Sequence, residues 1–491
     1  MDKYKVLIGL EMHCEISKTN TKVFSSARNS YEDTPNTNIR PVDMAFPGTL
    51  PVVNKEAVRK ALMASIILNC KQPEYIYFER KNYYYPDLPK GFQITQETKP
   101  APVGIYGELT YEVGEETKTI RVNNIHLEED AASSTHHEDT TTINYNRAGV
   151  PLLELVTEPD FHSAEEAVSF LETMRSIYQY ANISEADSKK GQIRCDVNVS
   201  IMDASLDEKD PKNWGTKIEI KNVNSFGGVR DAINYEIKRQ IELKEDGKYD
   251  EMEQQTRRFD EESGTTIYMR SKVDAIDYKY FVDANLPPVK ITGAKKEELR
   301  SSIPKLKLDR ILTYQKKLGL DYYDASIIAK EKDLADYFEE TIKDVKNVNL
   351  AVNFITTSIL STLNKLEITI EELVVTPSML SSLINLVSSD KLSLDHAKKI
   401  LYKAIELKTD PIKLIEKETL SQINDKDELI KYIKIEFDKY PNQVEQYIKE
   451  DNLSVINFFM GKVMSSTKRQ ANPNMTRKLI KEELERMKMN D

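Results

Sequence analysis

Acidic and imidazole side chains occur together on an alternating segment near the start of the chain. Between residues 10 and 16, apolar side chains occupy the even positions, and Glu11, His13 and Glu15 occupy the odd ones. A carboxylate and an imidazole two residues apart on one strand face can bind a divalent cation or transfer a proton. The same face could instead be a solvated strand surface, as the polar side of an antiparallel sheet often is.

Further carboxylates lie in apolar surroundings. Glu128 and Glu129 belong to the segment HLEED, Glu154 to PLLELV and Glu219 to KIEIKN. A buried carboxylate is costly, and several together repel one another unless a cation compensates. Because Mg²⁺ prefers oxygen ligands, convergence of these acids would indicate a magnesium site. Glu154 could instead pair with Arg147.

Candidate nucleotide contacts are present without a common nucleotide-binding motif. Residues 81–93 form a loop with three tyrosines and flanking lysines. Aromatic rings beside cations suit unstacked bases, although the rings could also pack beneath the loop. Arg257 and Arg258 could hold phosphates. The sequence has no GxxxxGK[ST], GxGxxG or GxSxG motif, so ATP would need a pocket of another kind.

The predicted elements change in character along the chain. Segments 10–16, 193–201 and 217–221 alternate as half-buried antiparallel strands do, and a capping box at 163–166 begins one of two interrupting helices. All but two of the 16 glycines precede residue 294, which predicts strands and turns first and helices afterwards. We therefore predict an α+β protein. A β-rich antiparallel cradle spans 1–292, an all-α helical domain 293–408, and a small helical tail 409–491.

Composition narrows the function classes. The 491 residues include 69 Lys and Arg against 80 Asp and Glu, a formal charge of −11, which disfavours a DNA-coating protein. Residues 461–491 are locally basic and point weakly to RNA. No apolar run approaches the roughly 20 residues of a membrane helix. The three cysteines are widely separated, so we expect a cytoplasmic protein without disulfides. From the lack of a long apolar run we expect no membrane anchor.

Eight segments in order over residues 8–281 closely resemble the GatB family, the B subunits of aspartyl/glutamyl-tRNA amidotransferases. They are IGLEMH, NYYYPDLPKGFQITQ, HLEEDA, NRAGVPLLELVTEPD, GQIRCDVNVSI, KIEIKNVNSF, QTRRFDE and DYKYF. The segment KRQANPN near the C-terminus also resembles the family. The resemblance therefore covers nearly the whole chain and implies the family's cradle, helical domain and tRNA-contacting tail.

The resemblance implies an enzyme subunit in a heterotrimer with the amidase subunit GatA and the small subunit GatC. GatA releases ammonia, which reaches GatB through a channel. There ATP activates the side-chain carboxylate of a misacylated tRNA as an acyl phosphate, which ammonia converts to Gln-tRNA(Gln) or Asn-tRNA(Asn). The residues alone also allow a non-catalytic tRNA-docking scaffold or a free-standing metal-dependent phosphotransferase.

The family's motifs assign roles to residues of this chain. Carried over, the Mg²⁺ ligands are Glu11, His13, Glu129 and Glu154, with Glu128 as a rival to Glu129. Asp196 and Glu219 would support the metal or contact the nucleotide. Phosphate or the tRNA 3′ end would meet Arg147, Arg194, Lys221 and Arg257, and the terminal adenosine would meet Tyr83, Tyr84 and Tyr85.

One of the chain's departures from the family concerns a structural zinc site. Many relatives carry a CxC…CxxC zinc knuckle near the start of the cradle. The matching stretches here, 24–27 and 40–43, contain no cysteine, so we predict no structural zinc.

Overall fold

The structure is a computed structural model of the chain. It describes residues 3–490 except 32–33, 84, 97–101, 115, 224, 272–276, 390, 421–422, 424, 451 and 468–469. The chain divides into two compact units, one formed by residues 1–313 with 330–332 and the other by residues 314–329 with 333–491.

In its described residues the first unit contains the strands, five α-helices and two short 3-10 helices at Pro211–Asn213 and Tyr249–Glu251. The strands are β1 (Tyr4–Glu15), β2 (Tyr75–Ile76), β3 (Glu79–Asn82), β4 (Phe92–Thr95), β5 (Gly104–Val113), β6 (Glu116–Glu129), β7 (Ser133–His136), β8 (Thr141–Asn144), β9 (Pro151–Thr157), β10 (Ile193–Asp203), β11 (Ile218–Val223), β12 (Gln255–Asp260), β13 (Thr265–Ser271), β14 (Phe281–Val282) and β15 (Val289–Lys290). The helices are α1 (Lys55–Ile67), α2 (Ala164–Tyr180), α3 (Phe226–Glu245), α4 (Gly293–Ser302) and α5 (Lys307–Thr313).

An eight-stranded sheet organises this unit, in the order β13-β12-β11-β10-β1-β9-β6-β5. Its neighbouring strands are antiparallel except β11 and β12, which run parallel. The exception has a local cause, because α3 connects these two strands and a helical crossover returns the chain in the same direction. The predicted α+β class with a β-rich first part is confirmed.

One face of the sheet is the core. Leu10, Met12 and Cys14 of β1 are fully buried and pack in one apolar cluster with side chains of α1, α2 and α3. The predicted helix start is observed, because the Ser163 hydroxyl accepts a hydrogen bond from the Glu166 amide at the start of α2. Helix α3 ends before Gly247. The polar residues of the strands therefore face the opposite side.

In its described residues the second unit consists of helices and their connections, with one isolated β-bridge between Ile423 and Ala471. Its α-helices are α6 (Tyr322–Ile328), α7 (Lys332–Ile342), α8 (Val348–Asn353), α9 (Leu360–Leu366), α10 (Pro377–Ser388), α11 (Leu394–Glu406), α12 (Pro411–Leu420), α13 (Lys426–Lys439), α14 (Pro441–Glu450), α15 (Ser454–Ser466) and α16 (Pro473–Asn490), with π-helical turns at Tyr314–Leu318 and Phe354–Ile359. The start of a separate tail at 409 stays a prediction. Within the described residues, we find no helix with the length and apolar character required to span a bilayer.

Candidate active site

Three adjacent strands bring two histidines and a glutamate into one row. In the register of the sheet, His13 of β1 lies directly opposite Glu154 of β9, and Glu154 lies directly opposite His126 of β6. The row runs across the polar face of the sheet, since the flanking residues Leu153 and Leu155 are fully buried in the core. Strand pairing alone therefore joins parts of the chain more than 100 residues apart.

Both imidazoles approach the same oxygen of Glu154. The Nε2 atom of His13 lies 3.3 Å from Glu154 Oε2, and that of His126 lies 3.0 Å from it. Glu11 Oε1 is 3.8 Å from the His13 ring nitrogen, and Glu128 Oε2 is 3.8 Å from that of His126. Two overlapping sets, Glu11–His13–Glu154 and His126–Glu128–Glu154, have ligand atoms close enough together to hold a metal ion.

A polar cavity of about 370 Å³ opens above this row. It is lined by Glu11, His13, Lys81, Tyr83, Gln93, Glu128, Asp130, Ala131, Leu152, Glu154, Arg194, Cys195, Asp196, Lys221 and Val223. Acidic and basic side chains thus surround a space large enough for a phosphate-bearing group.

The ionisation of the site reflects crowded carboxylates. Burial and the neighbouring Glu154 carboxylate raise the pKa of Glu11, and the same two causes raise the pKa of Glu128 to about 7. Burial opposes ionisation of Glu154 as well, but His126 and His13 outweigh it and hold the pKa of Glu154 well below its usual value.

The His13 imidazole is held in its charged form. Burial lowers the pKa of His13, yet the hydrogen bond to Glu154 and the surrounding carboxylates overcome that effect and raise it to about 9. A proton on this ring therefore serves as the counter-charge that a divalent cation would otherwise supply. Once that proton leaves the ring, the donor set of carboxylate oxygens and one imidazole fits Mg²⁺ or Mn²⁺.

Glu129 lies apart from the row. It accepts a hydrogen bond from the Ile94 amide at 2.8 Å and forms an ion pair with Lys90, both away from the cavity lining. Because side chains alternate along a strand, Glu128 and Glu129 cannot both face the cavity. The structure brings Glu128, the rival ligand, to the cavity.

The predicted basic residues separate into those inside and those outside the cavity. Arg194 lines it and lies 3.0 Å from Asp130, and Lys221 lines it and lies 2.6 Å from Asp196. Arg147 instead donates to the Ala131 carbonyl at 3.0 Å. Its ion pair is with Asp130, so the alternative in which Arg147 neutralises Glu154 is not observed.

Arg257 and Glu219 support the sheet beside the cavity. The Arg257 guanidinium donates to the carbonyl and hydroxyl oxygens of Thr266 at 2.7 and 2.8 Å and lies 3.9 Å from Glu236 of α3, so it serves the helix-covered face. Glu219 accepts a hydrogen bond from the Thr256 hydroxyl at 2.8 Å and lies 3.7 Å from Lys221. Neither residue is part of the cavity lining.

The tyrosines of the loop 81–93 also separate into those inside and those outside the cavity. Tyr83 lines the cavity, donates a 3.1 Å hydrogen bond to Gln93, and packs edge-on against Tyr278 with ring centroids 5.5 Å apart. Burial raises the pKa of Tyr83, so it is a neutral donor. Tyr85 is 61% exposed, and Tyr84 lies outside the described residues.

Sequence reasoning missed several lining or contacting residues. His126, Lys81, Gln93 and Asp130 all lie inside motifs that were already singled out. The period-two signal pairs His126 with Glu128 on one strand face, as it pairs His13 with Glu11, and this symmetry could have identified the second histidine.

The region that would carry a zinc knuckle is held by other contacts. Asp43 accepts hydrogen bonds from the Ser25 hydroxyl at 3.0 Å and from the Arg40 amide at 2.7 Å, and it lies 3.8 Å from the buried Lys22 ammonium. The predicted absence of zinc stays a prediction.

Comparison with known proteins agrees with this description. A family model described as the GatB/GatE catalytic domain matches residues 6–297, and a second one, the GatB domain, matches residues 336–484. Curated relatives named as B subunits of aspartyl/glutamyl-tRNA(Asn/Gln) amidotransferase include those of Persephonella marina (40% identical, covering 98% of this chain and 99% of the relative), Oceanobacillus iheyensis (39%, 98% and 99%) and Caldicellulosiruptor saccharolyticus (39%, 99% and 100%). The resemblance seen in the sequence is thus confirmed, and the chain belongs to the GatB family.

Proposed function

We propose that the cavity is where a tRNA-bound acid is activated with ATP and amidated. The carboxylate oxygen of Glu-tRNA(Gln), Asp-tRNA(Asn) or both attacks the γ-phosphorus of ATP and releases ADP. Ammonia then attacks the acyl carbon and releases phosphate. One observation carries the proposal: Glu11, His13, Glu128 and Glu154 face one cavity on adjacent strands, with Lys and Arg side chains around them.

Magnesium fits this cavity because the acids there repel one another, and both Glu11 and Glu128 have raised pKa values. Glu11, His13, Glu128 and Glu154 would hold it, in place of the carried-over Glu129. When bound, Mg²⁺ supplies charge neutralisation for the phosphates during transfer.

The cationic side chains of the cavity have a separate task. Lys81, Arg194 and Lys221 line the space and bring positive charge toward any bound phosphate. Arg194 and Lys221 are already held by Asp130 and Asp196, which fixes their positions before substrate arrives. Preorganised charges of this kind stabilise phosphoryl transfer without reorganisation. Tyr83 offers an aromatic surface for the adenosine of the tRNA 3′ end.

The source of ammonia is proposed to be a partner. The relatives are named as one of the subunits of an amidotransferase, which implies a complex of several chains. We infer a cytoplasmic heterotrimer with the amidase GatA and the small subunit GatC, in which GatA hydrolyses glutamine.

The test uses the reconstituted complex with Glu11→Gln and His13→Ala variants. We expect glutaminase activity to be unchanged and transamidation to fall by at least about 100-fold, since each variant removes a group that contacts the reacting phosphates or their cation. His136→Ala is the matched control, because His136 is an exposed histidine on the β7–β8 hairpin. Full transamidation by both site variants would refute the assignment.

The scaffold alternative is tested by calorimetry. A docking protein without catalytic function would bind tRNA but no ATP·Mg²⁺. We expect ATP·Mg²⁺ to bind, and removal of residues 409–491 to weaken tRNA binding while leaving nucleotide binding intact.

A further inference from the structure

His126 lies directly behind Glu154 as seen from the cavity. Its side chain is 2% exposed and is not part of the cavity lining. The flanking residues Ile125 and Leu127 point into the core, so the ring lies on the polar face of the sheet, beneath the site. A residue in this position acts on the cavity through the carboxylates that it faces, Glu154 at 3.0 Å and Glu128 at 3.8 Å.

Both nitrogens of the His126 ring meet oxygen atoms. Nε2 lies 3.0 Å from Glu154 Oε2, and Nδ1 lies 3.0 Å from Asn124 Oδ1. The orientation of the Asn124 amide follows from its own partner, because its Nδ2 donates to Asn123 Oδ1 at 3.0 Å. Asn123 in turn donates from Nδ2 to the Glu158 carboxylate at 2.7 Å, and a carboxylate accepts only.

Donor and acceptor are therefore fixed at each hydrogen bond of this series. Glu158 fixes the Asn123 amide, Asn123 fixes Asn124, and Asn124 presents an oxygen to His126. Neighbouring residues on a strand normally point to opposite faces, but the ladder between β6 and β9 is irregular between Val122 and Asn124. This bulge brings the two consecutive asparagine side chains together, and bulges beside active sites commonly redirect side chains.

We propose that His126 is a positioning residue that holds the Glu154 carboxylate for the cation and substrate of the site. Its Nε2 forms an ion pair with Glu154 while the Glu158–Asn123–Asn124 chain holds the other side of its ring. Since both ring nitrogens face acceptor oxygens, this arrangement requires a ring that carries both protons. This inference deepens the proposed function and rests on it. His13, which shares the same Glu154 oxygen, faces the cavity and is available as a ligand, whereas His126 stays behind the carboxylate.

A histidine that merely fills the core would not need this arrangement. Such a ring would tolerate any replacement that kept its volume and one polar contact. A residue that orients a metal ligand has a different signature, because removing it typically weakens metal affinity about 10- to 100-fold.

Two substitutions separate these roles. In His126→Gln the amide nitrogen lies about as far from the backbone as Nε2 and still reaches Glu154. In His126→Asn the amide ends near the position of Nδ1, so the contact with Asn124 survives and the contact with Glu154 is lost. Mn²⁺ affinity, measured by electron paramagnetic resonance on the reconstituted complex, is the readout besides activity.

We expect His126→Gln to bind Mn²⁺ within a few-fold of the unaltered complex and His126→Asn to bind it about 10- to 100-fold more weakly. In His126→Asn, kcat for transamidation falls while the KM for tRNA is unchanged. His136→Asn, on the exposed hairpin, is the control. Equal Mn²⁺ affinity of His126→Asn and the unaltered complex would overturn the inference.

Asn124→Ala keeps the test decisive if His126→Asn does not fold. Asn124 is partly exposed, so truncation there is tolerated better, and loss of its oxygen removes the partner of His126 Nδ1. We expect Mn²⁺ binding to be a few-fold weaker, as in His126→Gln, which also lacks this contact, and unchanged binding would also overturn the inference. If the unaltered complex binds no Mn²⁺, the proposed function fails instead.

Discussion

Replacing Glu128 with glutamine measures how much repulsion among the acids of the cavity lowers the free energy of unfolding. The Glu128 side chain is 3% exposed, and its Oε2 accepts a 3.0 Å hydrogen bond from the Thr95 hydroxyl. Burial and the nearby Glu154 carboxylate raise the pKa of Glu128 from 4.5 to about 7. Glutamine keeps an oxygen for Thr95 and the volume of the side chain but cannot ionise.

The sign of the pH effect follows from where the proton is held. The unfolded chain releases the Glu128 proton near pH 4.5, and the folded chain keeps it to about pH 7. Between these values the folded state binds more protons, so the free energy of unfolding decreases as pH rises. From pH 5.5 to 7 this amounts to about 1.5 pH units at about 1.4 kcal/mol each, or about 2 kcal/mol. Above pH 7 this contribution is constant.

Urea unfolding of the full-length chain in EDTA measures this loss. The only tryptophan, Trp214, lies in the first unit, so its fluorescence reports on the unfolding of that unit. We expect the free energy of unfolding of Glu128→Gln to decrease by about 2 kcal/mol less than that of the unaltered chain between pH 5.5 and 8. Glu116→Gln, an exposed position on the same strand, is the control.

Manganese provides the complementary measurement. A cation compensates the ionised acids, so Mn²⁺ should stabilise the unaltered chain more at pH 8 than at pH 5.5, and Glu128→Gln should show less of this difference. If the two chains have parallel pH profiles, Glu128 does not experience the repulsion described here and the electrostatic argument for a cation fails.

Three further substitutions test the placement of residues in the first unit outside the cavity lining. Glu129→Gln should destabilise the first unit by about 3 kcal/mol in calorimetric melting, because it leaves the Lys90 charge without its partner. In an Mn²⁺ titration the same variant should keep its Mn²⁺ affinity within a few-fold. Arg257→Ala should lower the melting temperature and leave the KM for ATP unchanged, since its guanidinium serves the opposite face of the sheet; a raised KM with an unchanged melting temperature would contradict this placement. Gly107→Ala should lower the melting temperature, because a Cβ atom there would overlap a backbone carbonyl, whereas Gly293→Ala, in open space at the start of a helix, should not.

The sequence predicted the strands of the site because each has a clear period. Alternation in β1 and β10 places Glu11, His13, Arg194 and Asp196 on the polar face, and all four line the cavity. The acids in apolar segments were recognisable for a related reason, since a carboxylate among leucines needs a partner. Glu154 has two, His13 and His126.

The sequence could not show which of two neighbouring residues faces the cavity when the orientation of their strand was unknown. In HLEED the alternation pairs Glu128 with His126 and Glu129 with Leu127, but only the register against β9 shows which of these two faces meets the cavity. Arg257 was assigned to phosphate from its motif. The parallel pairing of β12 with β11, created by the α3 crossover, sets it opposite the core residue Ile220 and so on the helix side. Both outcomes depend on long-range pairing that no local pattern contains.

Strand register also explains how the fold keeps like charges together. A slip of β9 by one residue would turn Glu154 into the core and expose Leu153 and Leu155, which are both fully buried. In the slipped register Leu152 and Val156 would take the place of the two leucines, but the Glu154 carboxylate would lie in the core without its histidine partners, which costs several kcal/mol. This exceeds the roughly 2 kcal/mol by which the ionised Glu128 disfavours the folded state. The alternation of the strand therefore fixes the position of the acids on its polar face despite their repulsion.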